Sequence, residues 1–253
     1  MKIVISPAKS LNFERNIPTK EHTQPVFPEK IATVNATLKE LSPKQLADLM
    51  HISDKLANLN WERNQAFSLP FSLENARQAV YVFDGDVYDG LDVYSLDSKE
   101  VERLQFSLRI LSGQYGILKP LDLIQPYRLE MGTKISIGRA KNLYDYWKES
   151  VTVFLNEELD SNELFVNLAS NEYFKVIDYK QIKNQLITPI FKDWKNDELK
   201  MISFFAKKAR GLMVRYLIKN NIQTLDELKG FDYEGYRFSQ QHTTNINEPV
   251  FIR

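Results

Sequence analysis

Short runs of wholly apolar residues alternate along the chain with stretches whose apolar residues recur every third or fourth position, a pattern that predicts buried strands interleaved with amphipathic helices. Residues 1 to 6, MKIVIS, read as a short buried strand, and Pro7-Ala8-Lys9-Ser10 follows it. A lysine just past a first strand lies where open α/β sheets place ligands. Three prolines among polar residues in 12 to 28 predict an irregular excursion over the surface. Beyond Pro28, Ile31, Val34, Leu38 and Leu41 share one helical face. Ser42-Pro43 opens a second helix, and residues 53 to 64 predict a third that closes at Trp61. Ala79 to Phe83 reads as a strand by its β-branched and aromatic content.

The densest stretch is Arg103 to Lys134. Leu104, Phe106, Leu108 and Ile110 alternate, which fits a half-buried strand. Ser98 as a cap and Glu100 and Glu102 in a first turn fit a helix instead, ending near Phe106 and passing at once into a short strand. The second reading is preferred. Gly113 and Gly116 then form a hairpin-like bend, and Ile117 starts the next element, which Pro120 and Pro126 limit to a turn or two if helical.

An aromatic-rich helix is expected from Asn142 to Leu159, a buried strand over 164 to 169, and a polar tetrad, Ser170-Asn171-Glu172-Tyr173, suited to a cap or a site. Residues 174 to 177 and 186 to 191 read as further strands. Asn196 or Asp197 caps a helix reaching about Asn220, with Met201, Ile202, Phe205, Ala209, Leu212, Met213 and Tyr216 in its buried stripe. Gly211 in its middle implies that another backbone or a ligand comes close. A short helix over 224 to 228 and strands over 235 to 239 and 249 to 252 close the sheet. No repeat or linker divides the chain, so residues 1 to 253 are expected to form one compact domain of mixed α/β (α+β) class, a central mixed sheet surrounded by helices.

Composition removes several chemistries. With no cysteine there is no disulfide, thiolate metal site or cysteine nucleophile, and three scattered histidines make no metal centre. Asp84, Asp86, Asp89 and Asp92 are crowded, but counting from Asp84 an EF-hand would need glycine where Asp89 stands and glutamate where Ser95 stands. They are read as turn and capping groups, with a hydrated magnesium as the other reading; no metal and no cofactor are assigned. No apolar run reaches the ~20 residues that span a bilayer, and the first residues lack a secretory apolar region, so a cytoplasmic protein without a membrane partner is expected. The 33 Lys and Arg balance the 33 Asp and Glu, yet residues 103 to 148 and 192 to 219 each hold eight cations against three anions. Such segments in an acidic remainder suit a local anion-binding face.

Six separated motifs then agree: Ser6-Pro7-Ala8-Lys9, Phe83 to Leu91 (FDGDVYDGL), Arg109 to Gly116 (RILSGQYG), Lys119 to Gly132 (KPLDLIQPYRLEMG), Asn167 to Tyr173 (NLASNEY) and Lys207 to Gly211 (KKARG). Together they resemble the YaaA family of bacterial peroxide-stress proteins over nearly the whole chain. The resemblance implies a role in hydrogen peroxide resistance and in limiting free-iron-driven damage, a basic cleft, a helix-hairpin-helix element, and binding of duplex or locally opened DNA without sequence readout. The bend at Gly113 to Gly116 is the candidate hairpin. On this reading Lys9, Arg109, Lys119, Arg128, Lys207, Lys208, Arg210 and Arg215 line one cleft and neutralise phosphates, while Tyr115 and Tyr127 stack on unpaired bases. The alternative is an enzyme acting on a nucleotide or damaged base in that cleft. It would use Lys9 as nucleophile or phosphate ligand, Arg128 as anion clamp, and Glu130, Asp86 or Glu172 as acid or base. What separates the two is whether a carboxylate and Lys9 meet inside one pocket. Iron bound directly by the aspartates is a third, weaker reading. Oligomeric state stays open.

Overall fold

The computed structural model describes residues 1–253. At its centre is a five-stranded sheet in which Lys2–Ile5 is flanked on both sides by parallel neighbours, Leu108–Ser112 and Phe165–Leu168. Val4 lies between Arg109 on one side and Asn167 on the other. All three strands are buried along their length, as expected of parallel strands covered on both faces. Gly116–Leu118 returns antiparallel beside Leu108–Ser112, which makes the sheet mixed, and Leu186–Ile187 closes the other edge. Residues 190 to 252 build a second sheet from Ile190–Lys195, Glu198–Lys200, Val250–Ile252 and Arg237–Phe238, so the late strands pair with one another rather than with the central sheet.

Capping chemistry sets the helices. Pro28–Lys39 and Pro43–Met50 begin on proline, and Ser42 and Gln45 cap the second reciprocally. The third, Asp54–Ala66, runs past the exposed Trp61 to Ala66. Ser98–Ser107 is capped by Asp97 rather than Ser98, with Glu100 completing the box, and passes straight into the strand at Leu108. Leu143–Glu158 starts on Asn142, whose side chain accepts from Asp145 N–H.

Several expectations are corrected. Ala79–Val82 is one helical turn, because Ala79 N–H and Val80 N–H donate to the carbonyls of Asp122 and Pro120 instead of joining a ladder. Its uniform burial hid the period. Residues 174 to 177 are no strand; Asn171–Phe174 is a helical turn begun by Ser170. Asn196 and Asp197 do not cap a helix: with φ of 52° and 59° they make the turn between Ile190–Lys195 and Glu198–Lys200. The long helix therefore starts later, at Ser203, and leaves Met201 and Phe205 exposed while Ala206, Ala209, Leu212 and Met213 are buried.

The bend at Gly113 to Gly116 joins two strands, not two helices, and is buried. Gly113 C=O accepts from Trp147 Nε1 at 2.9 Å, and a Cβ on Gly116 (φ +72°) would lie 2.5 Å from that indole. This bend is thus no helix-hairpin-helix and has no face for a phosphate. Gly211 behaves as expected. In Ser203–Lys219 it crosses the short helix Asp86–Leu91 so closely that a Cβ would lie 1.8 Å from the Val87 carbonyl, and Gly90 meets the Lys208 carbonyl in return. That crossing brings Asp86 and Lys207 to one end of the central sheet.

Candidate active site

The parallel strands Lys2–Ile5 and Phe165–Leu168 end side by side, and Ser6, one residue past the first end, is tied to Ser170, two past the second. Ser170 N–H donates to Ser6 Oγ at 2.9 Å, and the two hydroxyls lie 3.3 Å apart. Ser10–Leu11 then pairs antiparallel with Phe83–Asp84, which fixes Lys9 beside the Asp84–Asp86 turn. The result is a cavity of about 430 Å³ outside the carboxyl ends of the strands, where this architecture places ligands. Four of the six motifs meet there as Ser6 to Ser10, Asp84 to Tyr88, Ser170 to Tyr173 and Lys207 with Arg210, and Glu130 from a fifth completes the wall.

Its charges are mixed. Lys9 Nζ lies 2.7 Å from Glu130 Oε2, an ion pair at the mouth with Lys9 mostly exposed. Exposed pairs contribute about 0–1 kcal/mol, so a substrate can part them at little cost. Arg128 approaches the other Glu130 oxygen at 3.6 Å. Glu172 Oε1 accepts from Gly132 N–H at 3.0 Å, Asp84 pairs with Arg15 at 3.1 Å, and Lys207 stands 3.9 Å from Asp86. Arg210 differs from these: it lines the cavity with neither a carboxylate nor a hydrogen-bond acceptor of its own, and burial lowers its pKa. An arginine remains charged at neutral pH regardless, so the cavity holds an unanswered guanidinium fork suited to an anion. Beneath it, burial pushes the Tyr88 and Tyr173 phenols up, so both stay protonated; Tyr88 Oη donates to the Ser6 carbonyl at 3.1 Å.

The eight expected cations do not line one cleft. Lys9, Lys207 and Arg210 line this cavity, and Arg128 joins it through Glu130. Lys208 turns away to Glu234 at 2.5 Å. Arg215 donates to the Leu91 and Asp92 carbonyls at 3.0 Å, closing the end of Asp86–Leu91. Arg109 is 2% exposed and held by Glu158 at 2.5 Å, and Lys119 reaches the same carboxylate at 3.0 Å. Those two belong to a larger cavity, about 800 Å³, at the amino ends of the strands. There Lys2 Nζ also has a partner, the Phe106 carbonyl at 3.0 Å. Tyr115 and Tyr127 are buried and cannot stack on bases.

No group of three or more His, Cys, Asp or Glu side chains is placed to hold a metal ion. The crowded aspartates separate instead, Asp84 to Arg15, Asp86 towards Lys207 and Asp92 to Ser95 and Arg215. Sequence reasoning quoted Ser6 in a motif but gave it no role in the site, although it had a signal, since it and Ser170 each end an apolar run.

The chain is thus a mixed α/β protein with a cavity of mixed charge at its parallel strand ends. The chain belongs to the family described as peroxide stress protein YaaA, whose model matches residues 1–242. Among its relatives are UPF0246 proteins of Flavobacterium psychrophilum (62% identical) and Flavobacterium johnsoniae (59%), each over 253 residues and the full length of both chains. One from Neisseria gonorrhoeae is 52% identical over 256 residues, covering 100% of this chain and 98% of its own.

Proposed function

We propose that this peroxide-stress protein works through the strand-end cavity as an enzyme on a nucleotide or damaged base. The observation that carries the reading is the Lys9–Glu130 contact of 2.7 Å at the mouth of a pocket that also holds the unpaired Arg210. An ammonium and a carboxylate in contact form an acid and a base that a substrate can separate, Glu130 accepting a proton and Lys9 donating one or, once deprotonated, attacking. Arg210, rather than Arg128, is the anion clamp in this reading. Limiting iron-driven oxidative damage fits as the outcome, since such a site would act on what that oxidation produces.

The test is incubation of the protein with nucleotides and with an oligonucleotide bearing an oxidised base, followed by mass spectrometry. Product is expected from the wild type, with a loss of at least a hundredfold in Lys9→Gln and Glu130→Gln. Equal product from all three would remove the pair from the chemistry.

A second reading, DNA binding without sequence readout, is favoured by a different observation. Trp194 and Phe204 are more than half exposed and lie near Lys192, Lys195, Lys200 and Lys207 in sequence, the last of which lines the cavity. Exposed aromatics among cations suit stacking on opened strands. In this reading a bubble duplex binds at least as well as a full duplex, and log affinity falls linearly with log salt. Trp194→Ala should weaken the bubble selectively; no binding to either at low salt would end this reading.

A further inference from the structure

We propose that the larger cavity, at the amino ends of the strands, is a second ligand site that takes a phosphate monoester on Lys2, Arg109 and Lys119. Strand register assembles the three cations. Val4 stands opposite Arg109, and Lys2, two residues before Val4, points to the same side of the sheet. Gly116–Leu118 runs antiparallel along Leu108–Ser112 with Leu118 opposite Ile110, so Lys119 leaves that strand beside Arg109. The cations therefore come from three adjacent strands, a width of about 10 Å, and all three line the one cavity of about 800 Å³. A single carboxylate answers them. Glu158 gives one oxygen to Arg109 Nε at 2.5 Å and the other to Lys119 Nζ at 3.0 Å. Lys2 receives neither. It is 2% exposed, and its ammonium donates to the Phe106 carbonyl at 3.0 Å and lies 3.6 Å from the centre of the Phe106 ring. Burial, and after it the charge of Arg109, lower its pKa. The other acids on the wall do not compensate: Glu163 is held by the Met1 amino group at 2.7 Å, and Glu102 is exposed.

Buried charges are ordinarily paired, and three cations against one carboxylate leave this cavity two negative charges short. A phosphate monoester supplies about −1.5 to −2 at neutral pH on three oxygens. Its charge sits at one point, which suits cations gathered across three strands, whereas a dicarboxylate divides the same charge between two ends. Lysines bind such a group as point charges, with no demand for a planar partner. Phe106 is more than half exposed and covers Lys2, so rotation of its side chain admits a phosphate oxygen where the ring face now lies. Leu217, Ile218 and Ile222 line the same cavity and give the organic part of the ester an apolar wall. This site stands at the other end of the sheet from Lys9 and Arg210 and does not rest on the function proposed above.

The test titrates methyl phosphate into the full-length protein and follows its 31P line width. Saturable broadening is expected, with affinity weakened about tenfold or more by Lys2→Gln and by Lys119→Gln and unchanged by Arg210→Gln at the far end. Glu158→Gln should act in the opposite direction and tighten binding about threefold or more, because it frees Arg109 and Lys119 for the ligand. The Lys119 side chain is 31% exposed, so Lys119→Gln keeps the test decisive if Lys2→Gln does not fold. Methyl phosphate should also raise the melting temperature of the wild type more than that of Lys119→Gln. Absence of broadening, or broadening that persists in both lysine variants and disappears in Arg210→Gln, overturns the site. Weaker binding by Glu158→Gln overturns it as well. Dimethyl phosphate, which models the diester of a nucleic acid strand, and succinate should each compete about tenfold more weakly than methyl phosphate; equal competition by either overturns the assignment to a monoester.

Discussion

Asp122 has no exposed surface, yet it must carry a charge at neutral pH. Burial pushes its pKa up from 3.8 to about 6, although Thr23 Oγ1 at 2.6 Å, Lys119 N–H at 2.7 Å and the charges of Lys119 and Arg109 pull it down. Because the folded value is raised, the folded state holds the proton more tightly than the unfolded chain does. The stability that the neutral acid contributes is present below about pH 4 and lost as pH rises to about 6, a change of order 3 kcal/mol. Asp122→Asn should remove that fall, leaving a constant offset from its altered hydrogen bonds. The check is the difference between the two proteins' urea unfolding free energies at pH 4, 5, 6 and 7; a difference that does not change with pH contradicts it. At this scale the sequence was informative where chemistry followed a strand end, as at Lys9 and the Ser170 tetrad. It was silent where a partner is distant in sequence, as for Arg109 with Glu158.

At the scale of elements, the crossing of Asp86–Leu91 over Ser203–Lys219 positions one wall of the cavity. Gly211→Ala would drive a Cβ to 1.8 Å from the Val87 carbonyl, and backbone cannot yield as a side-chain tip can. A loss of about 2–4 kcal/mol in denaturant unfolding is expected, with weaker ligand binding because Lys207 and Arg210 move with the helix. Gly138→Ala is the contrast: its φ is +57° but nothing lies within 4 Å, so about 1 kcal/mol is expected from backbone strain alone. Similar losses for the two variants would show that the crossing is not tight. Helix starts with side-chain caps were legible, as at Ser42, Asn142 and Thr224. The uniformly buried Ala79–Val82 was not, since it carries no polar face from which to read a period, and Phe174 to Ile177 is too short to show one. The Asn196-Asp197 pair was ambiguous because the residues that cap helices also tolerate the positive φ of a hairpin turn.

For the whole molecule, a single domain around a mixed sheet followed from the alternation of apolar runs and helical stretches, but the placement of its cations did not. Eight basic residues with a neutral overall charge suggested one face, and the fold distributes them between two ends of the sheet, most answered by nearby carboxylates. Sequence charge counts carry no direction, and only the strand register tells which end a side chain serves. No helix is long and apolar enough to cross a membrane. What distinguishes the carboxyl end is that its guanidinium at Arg210 is unanswered and its Lys9–Glu130 pair is open to displacement. The most direct measurement is survival under hydrogen peroxide of bacteria lacking this protein, supplied with the wild type, Lys9→Gln, Arg210→Gln or Lys195→Gln at equal protein levels. Wild type and Lys195→Gln are expected to protect, and the two cavity variants to lose most of the protection. Full protection by Lys9→Gln and Arg210→Gln would contradict the assignment of the strand-end cavity as the working site.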